Sequence, residues 1–334
     1  MPTLELVKQS TGFLLKYGHV RLGLDTGVQN ETSLISHSHA DHIGRLDLAH
    51  CVIATEGTFD TLEARKGKVD CERRIIDYGE STGQLGVKIT AYDAGHVLGS
   101  TMFLLEFDDD LSVLYTGDFN VEDSLVHNAA VPIDADVLIT EATYGSPEWI
   151  FPKREKTYFD ILKTATEEIN RGKIPIFQAY SLGKAQEAIA LLQYRGIPVV
   201  SGNGTIDSVN EAYNKHGAEL TAVSLRSGDV IDHLDEGCAI VSSSPAHTFT
   251  NIRKILGVDL FREVKHKALT YSLSGWTLGG MKGKGFPLSA HTDFPNLIQF
   301  AKDVDPRIAY VFTGNAGILA SHLHEEGITA VPLE

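Results

Sequence analysis

Short apolar runs that stop abruptly at polar, metal-ligating residues set the pattern of this chain. Residues 12–25, GFLLKYGHVRLGLD, alternate in a way that predicts two strands around a turn, with Asp25 at the end of the second and Gly23 and Gly27 flanking it. Leu34-Ile35-Ser36 predicts another strand, which stops at His37-Ser38-His39-Ala40-Asp41-His42. Residues 43–90 alternate short strand-like and helix-like stretches, and the strand-like run Val87 to Tyr92 leads into a loop around His96. A hairpin follows, Met102 to Phe107 and Leu111 to Tyr115 about the turn Asp108-Asp109-Asp110, and it ends in Thr116-Gly117-Asp118. Val137 to Thr140 runs into Glu141 in the same way. Carboxylates and imidazoles that recur where strands run out belong on one face of one sheet, in an α/β fold.

From about residue 146 to 270 the pattern becomes a regular β/α alternation. It predicts helices near 155–171, 183–194 and 208–216, and strands at 174–177, 197–200 and 239–242. Pro175 and Pro198 fall inside two of those short apolar runs and blur their boundaries. No internal repeat or low-complexity stretch appears.

His37 to His42 packs three imidazoles and one carboxylate into six residues. Imidazole suits zinc, and a loop at a strand's end holds ligands on a fixed backbone. Two of these His with His96, whose flanking glycines permit close approach, would make a three-imidazole site with an open position. Asp41 and His42 face the other way around the loop and would hold a second ion, with Asp118 between the two. Such a pair acidifies water and clamps the oxygens of an in-line phosphoryl displacement. Asp25 reads equally well as a plain turn aspartate or as the acceptor that fixes a ligand imidazole.

Composition narrows the setting. The chain has 334 residues, 43% hydrophobic and 22% charged, enough to bury a large core in one or two domains. Residues 1–30 show no basic segment followed by an apolar one, and no run approaches a membrane span, so a cytoplasmic protein is expected. Cys51, Cys71 and Cys238 are too few and too scattered for a disulfide framework and read as free, buried thiols. The net charge of −15 counts mildly against nucleic acid as a partner. Lys153, Arg154 and Lys156, Lys265 and Lys267, and Lys282 and Lys284 are the local basic clusters, each as readily a solvated face as a binding one.

The motifs HSHADH, AGHVLGS, YTGDF and TEATYG, in this order, resemble those of the metallo-β-lactamase superfamily. With SAHTDF at 289–294 the set resembles its β-CASP nuclease branch, and ITEATYGSP, AYSLGKAQE and SLSGW resemble the DNA-ligase-associated exonucleases of that branch. The resemblance runs from about residue 12 to about 320. It implies an αββα sandwich built from residues 1–145 and 270–334, with a β-CASP cap domain at 146–269 and the active cleft between them. Residue by residue it implies that His37, His39 and His96 bind one zinc, Asp41 and His42 a second, and Asp118 bridges. Glu141 would orient His291, which acts as general acid toward the leaving oxygen, so that Asp41, Glu141, His291 and Asp25 form the catalytic set.

In the RNA-cleaving members a later strand ends in a His that completes the second zinc site. Here Thr313 occupies that place, so the second zinc is expected to bind less firmly, with manganese or magnesium as alternatives. His322 and His324 lie further on in a helix-like stretch. Artemis-like DNA nucleases also lack a His at this position, which leans the expectation slightly toward DNA over RNA. In the cap, Ser181, Lys184 and Lys284 are candidates for phosphate contact, although Ser181 reads equally well as a helix cap, and Tyr180 and Trp276 for base stacking. The resulting expectation is a zinc-dependent nuclease, in all expectation an exonuclease linked to DNA repair or RNA processing, with a repair ligase or helicase as partner. The alternatives are a small-molecule hydrolase of thioesters, lactones or cyclic phosphodiesters, and a weakly active nucleic-acid-binding subunit.

Overall fold

The computed structural model describes residues 3–68, 70–84, 86–280 and 284–333. The chain divides into two units: Met1–Asp123, His127–Ile150 and Ala290–Glu334 form the first, and Ser124–Val126 with Phe151–Ser289 the second.

Two sheets face each other in the first unit. Six strands stand in sequence order in one sheet: Glu5–Lys8, Phe13–Tyr17, Val20–Leu24, Thr32–Leu34, Cys51–Ala54 and Glu72–Ile75. The other sheet has seven strands, in the order Ala330–Pro332, Ile308–Phe312, Val137–Glu141, Ser112–Tyr115, Thr101–Phe107, Val87–Asp93 and Ser81–Gln84. Side chains along these strands alternate between two cores, as a period of two requires. Leu105, Val113 and Ile139 meet Leu15, Leu22 and Ile53 between the sheets. Their neighbours Leu104, Leu114 and Leu138 meet Phe300 and Leu319 on the outer face. Burial on both faces is why these strands read as unbroken apolar runs. Each such side chain contributes about 1.5–3 kcal/mol.

Helices close both outer faces. Phe294–Val304 buries Leu297, Phe300, Ala301 and Val304, one stripe of a helix, and Asp293 caps it by accepting from Asn296 N–H at 3.3 Å. Glu56–Lys66 covers the six-stranded sheet through Phe59 and Leu62, which pack on Val52 and Ala54. The layers are therefore helix, sheet, sheet, helix.

A separate six-stranded parallel sheet forms the second unit. Its order is Val223–Ser224, Val199–Ser201, Ala239–Ser242, Ile174–Gln178, Ala268–Leu273 and Gly285–Phe286. The return to the first fold expected at residue 270 falls inside the strand Ala268–Leu273. That strand pairs with Ile174–Gln178 along its length, so the unit continues to Ser289. The helix expected at 208–216 begins earlier, at Gly204, because Asn203 caps it by accepting from Ile206 N–H at 3.2 Å. Pro198 stays outside the strand Val199–Ser201. The helices Pro245–Ile255 and Val258–Lys267 lie where the sequence reading predicted none. Among the described residues no helix is long and apolar enough to cross a membrane.

Candidate metal centre

The polar strand ends of the first unit converge. Asp25, just past Val20–Leu24, takes a left-handed backbone (φ 53°) and is 1% exposed. Its carboxylate accepts four hydrogen bonds. Oδ1 takes Ser36 N–H at 2.6 Å, and Oδ2 takes the Ser36 hydroxyl at 2.7 Å, the Tyr115 hydroxyl at 2.6 Å and His42 Nδ1 at 2.7 Å. The Ser36 proton is thus committed to Asp25, so Ser36 Oγ accepts from His37 Nδ1 at 3.0 Å and leaves the His37 Nε2 lone pair facing inward. His96 is set in the same way. Its Nδ1 lies 2.8 Å from the Ala290 carbonyl, which only accepts, so Nδ1 carries the proton and Nε2 does not.

Those two lone pairs meet a third nitrogen. His39 Nδ1 lies 3.0 Å from His37 Nε2 and 3.1 Å from His96 Nε2. Asp118 Oδ2 stands 3.6 Å from His37 Nε2, 3.8 Å from His96 Nε2 and 3.3 Å from His42 Nε2. One donor atom from each of His37, His39, His96 and Asp118 lies within 4.8 Å of the others. Imidazole nitrogens around a tetrahedral ion of the zinc class sit about 3.3 Å apart, from metal–nitrogen bonds of roughly 2.0–2.1 Å, so this donor set fits a divalent cation.

Electrostatics favour the same reading. Burial first, then the charges of His42 and His96, pushes His37 well below the ordinary imidazole range. Burial pushes His39 down to about 3 against the opposing charge of Asp118, with Arg65 adding to the fall. His96 is lowered by burial and by His291. All three are neutral donors at neutral pH, the form a metal requires. Burial alone would raise the Asp118 carboxyl, but the charge of His42, then those of His291 and His37, holds it well below the usual range. The ionised Asp118 beside the neutral donors His37, His39 and His96 is a place for a cation.

A second cluster adjoins the first. Glu141 ends the strand Val137–Glu141, and its carboxylate lies 2.9 and 3.1 Å from His291 Nδ1. Oε1 also accepts from Phe119 N–H at 3.0 Å, and Oε2 from Thr143 N–H at 3.2 Å and from the Thr143 hydroxyl. The His291 ring tilts over that of His96, with centroids 4.5 Å apart, and its Nδ1 is 4.0 Å from Asp118 Oδ2.

Asp41 stands apart: it is exposed and belongs to none of the three donor groups found among the described residues, whereas Asp25 lies in one with His37 and His42. Thr313 is exposed at the end of the strand Ile308–Phe312, with a left-handed backbone (φ 58°) that is unusual for a β-branched residue. His322 and His324 lie on the helix Ala316–Glu325 and in none of these groups, and His322 Nδ1 is 3.1 Å from Glu325. In the second unit, the helix Lys184–Tyr194 is capped by Gly183, so Ser181 is not its cap. Lys184 is buried with its ammonium 4.5 Å from the Tyr180 ring, and Lys284 is exposed with its ammonium 5.8 Å from the Tyr271 ring. Tyr180 and Trp276 are both exposed. Lys282 and Gly283 lie outside the described residues.

Five contributors had no separate mark in the sequence. Ser36 and Tyr115 read as ordinary strand residues, and the Ala290 carbonyl carries no side-chain signal at all. Arg65 donates to the Ser38 carbonyl, and Thr61 Oγ1, one turn earlier on the same helix, is 2.8 Å from Ser38 Oγ. Together they pin the residue between two ligands.

Comparison with known proteins agrees with this geometry. The family described as Beta-lactamase superfamily domain matches residues 23–189, a stretch that contains every donor above except His291. A protein of Opitutus terrae named "Probable DNA ligase" is 28% identical over 318 residues, 92% of this chain and 29% of that protein. "Endoribonuclease ysh1" of Schizosaccharomyces pombe is 27% identical over 306 residues, 75% of this chain and 39% of its own length. An "RNase J-like protein" of Methanocaldococcus jannaschii is 29% identical over 203 residues, 52% of this chain and 47% of its length. The chain thus spans less than half the length of each of these relatives. The ordered donor set, the helix–sheet–sheet–helix layers and the match to the family model show that the chain belongs to the metallo-β-lactamase superfamily, and its relatives include proteins named as endoribonuclease and RNase J-like.

Proposed function

We propose that this chain is a zinc-dependent phosphodiesterase that hydrolyses nucleic acid from an end, with DNA as substrate and a ligation or unwinding enzyme as partner. The observation that carries the reading is the Glu141–His291 pair beside Asp118, an oriented imidazole next to a cation-binding donor set. A divalent ion held there would supply Lewis acidity, acidifying water and offsetting charge on the phosphate oxygens. Glu141 holds Nδ1 of His291, so Nε2 is the atom that gives a proton to the leaving oxygen. Asp25 holds the His37 ring through Ser36 and the His42 ring directly. Because the Asp25 carboxylate is engaged by Ser36, Tyr115 and His42, we assign His42, Asp118 and the exposed Asp41 to a second ion, with Thr313 adding no imidazole. That ion binds less firmly, and manganese or magnesium serves there as well.

DNA and a ligase partner are supported by the similarity of the Opitutus terrae protein along nearly the whole chain. RNA is the competing substrate, supported by the relatives named endoribonuclease. Ser181, Lys184 and Lys284 of the β-CASP unit are assigned to the phosphate backbone, on the strength of the helix N-terminus at Lys184. The three cysteines are all free thiols, which suits the cytoplasm.

The test is a chelator-sensitive cleavage assay on matched, end-labelled single-stranded DNA and RNA, with His37→Ala as control and metal content measured in parallel. Progressive shortening of DNA from one labelled end, absent in the mutant, supports the reading. Preference for RNA, or internal cuts, replaces it with a processing endoribonuclease. Zinc bound without cleavage of either polymer moves the protein to the small-molecule hydrolases.

A further inference from the structure

Arg154 opens the helix Arg154–Asn170 within a run of basic residues, yet it does not share their setting. Lys153 and Lys156 are exposed, whereas the Arg154 side chain is 10% exposed. Its guanidinium pairs with Glu187, 1% exposed on the helix Lys184–Tyr194, and its Nη2 donates to the carbonyl of Ser289 at 2.9 Å. Tyr158 donates its hydroxyl to the same Glu187 oxygen at 2.6 Å. A planar guanidinium with a carboxylate on one arm and a backbone carbonyl on the other is fixed in two directions. Desolvating both charges makes a buried pair weak evidence for stability, and setting register is its best-attested use.

What that arm holds is the first of three consecutive residues. Ser289 is the last residue of the second unit. The next carbonyl, that of Ala290, takes the proton of His96 Nδ1 at 2.8 Å, and the next side chain is His291, 2.9 Å from Glu141. We propose that Arg154 is a positioning residue, which by fixing the Ser289 carbonyl sets the backbone through Ala290 and so the ring settings of His96 and His291. The influence of Arg154 runs through the stiff Ser289–Ala290 peptide plane, whose oxygen it holds, and only φ and ψ of Ala290 lie between that plane and the Ala290 carbonyl.

The imidazole proton signals of the metal-free protein, read by nitrogen–proton NMR, test this without reference to catalysis. Arg154→Lys keeps a charge for Glu187 but loses the fork, whereas Tyr158→Phe disturbs the same buried cluster and leaves Ser289 held. The expected result is that the Nδ1 proton signals of His96 and His291 shift or broaden in Arg154→Lys and stay in place in Tyr158→Phe. The His37 signal, held through Ser36, stays in both. Unmoved His96 and His291 signals in Arg154→Lys, or equal movement in the two variants, overturns the proposal. If Arg154→Lys does not fold, the same signals are read in Glu187→Gln, where movement supports the role and its absence overturns it. A kinetic arm rests on the function proposed above: kcat falls about 10- to 100-fold with little change in KM, as misplaced catalytic groups require. Shifted signals without that fall would count against the proposed function and leave the positioning role standing.

Discussion

Asp25 and His42 are 17 residues apart and joined by a 2.7 Å bond from Nδ1 to Oδ2, and His42 Nε2 turns its other side to Asp118 at 3.3 Å. Burial alone would lower this imidazole, but the charges and hydrogen bonds of Asp118 and Asp25 hold it well above its ordinary range. Asp25 also binds the Ser36 amide and hydroxyl and the Tyr115 hydroxyl, so it is the common anchor of three strand ends.

Asp25→Ala is therefore expected to leave several buried donors without an acceptor, at about 1–3 kcal/mol each, and to unfold in urea at a clearly lower midpoint. Affinity for a divalent metal falls about 10- to 100-fold, as removal of a group that orients ligands requires. Asp25→Asn keeps the shape and loses less. Titration with a competing chelator measures the affinity.

His37→Ala and His291→Ala separate binding from chemistry. The first removes a nitrogen of the donor set, so purified protein loses its firmly bound metal and its activity together. The second keeps full metal content while kcat drops about 10²–10⁴-fold. Elemental analysis beside single-turnover rates distinguishes them, and loss of metal in His291→Ala would contradict this division of roles.

Gly117 carries a less obvious constraint. Its φ is 55°, and a Cβ there would lie 2.5 Å from Ser36 Cβ and Oγ. Gly117→Ala must both hold a left-handed backbone, costing about 1–2 kcal/mol, and push Ser36 off the Asp25 carboxylate. The expected result is lower stability and weaker metal binding in the same variant, although a glycine has no side chain to ligate. Urea unfolding and chelator competition read the two effects.

Cys238 makes alkaline pH a probe of the second unit. The thiol is fully buried, and burial pushes it up to about 12. In the unfolded chain it ionises near its ordinary value, so between about pH 9 and 12 the folded state binds more protons and stability falls as pH rises. The slope from this group is at most about 1.4 kcal/mol per pH unit. Below its ordinary value the contribution is fully present. Urea midpoints from pH 8 to 10 should show a steeper alkaline decline in the native chain than in Cys238→Ala, and native Cys238 should resist thiol reagents at pH 8.

Much of this was legible in the sequence because burial on both faces writes strands as apolar runs and leaves their ends conspicuous. The positions of His37, His39, His96, Asp118 and Glu141 at strand ends follow from that alone. Asp25 was ambiguous, since a turn aspartate and an anchoring one look the same until their neighbours in space are known. The exposure of Asp41 depends on which way a short loop turns, which six residues do not encode by themselves. Ser36, Tyr115 and Arg154 were hidden for another reason. Each belongs to a local pattern, strand core or basic run, that explains it adequately without its distant partner. The end of the second unit at Ser289 was displaced in the reading because the strand Ala268–Leu273 pairs in space with residues nearly a hundred positions earlier.

The placement of the second unit within the chain gives the site an order of manufacture. His37, His39, His96 and Asp118 have all been synthesised once residue 118 is added, and Glu141 follows soon after. The Ala290 carbonyl that fixes His96, and the imidazole of His291, emerge only after Phe151–Ser289 has been synthesised. A chain made only as far as Glu141 thus has the four donor residues but neither the carbonyl that sets His96 nor the imidazole of His291. The set of groups that fixes His96 and adds the His291 imidazole is therefore complete only near the end of translation.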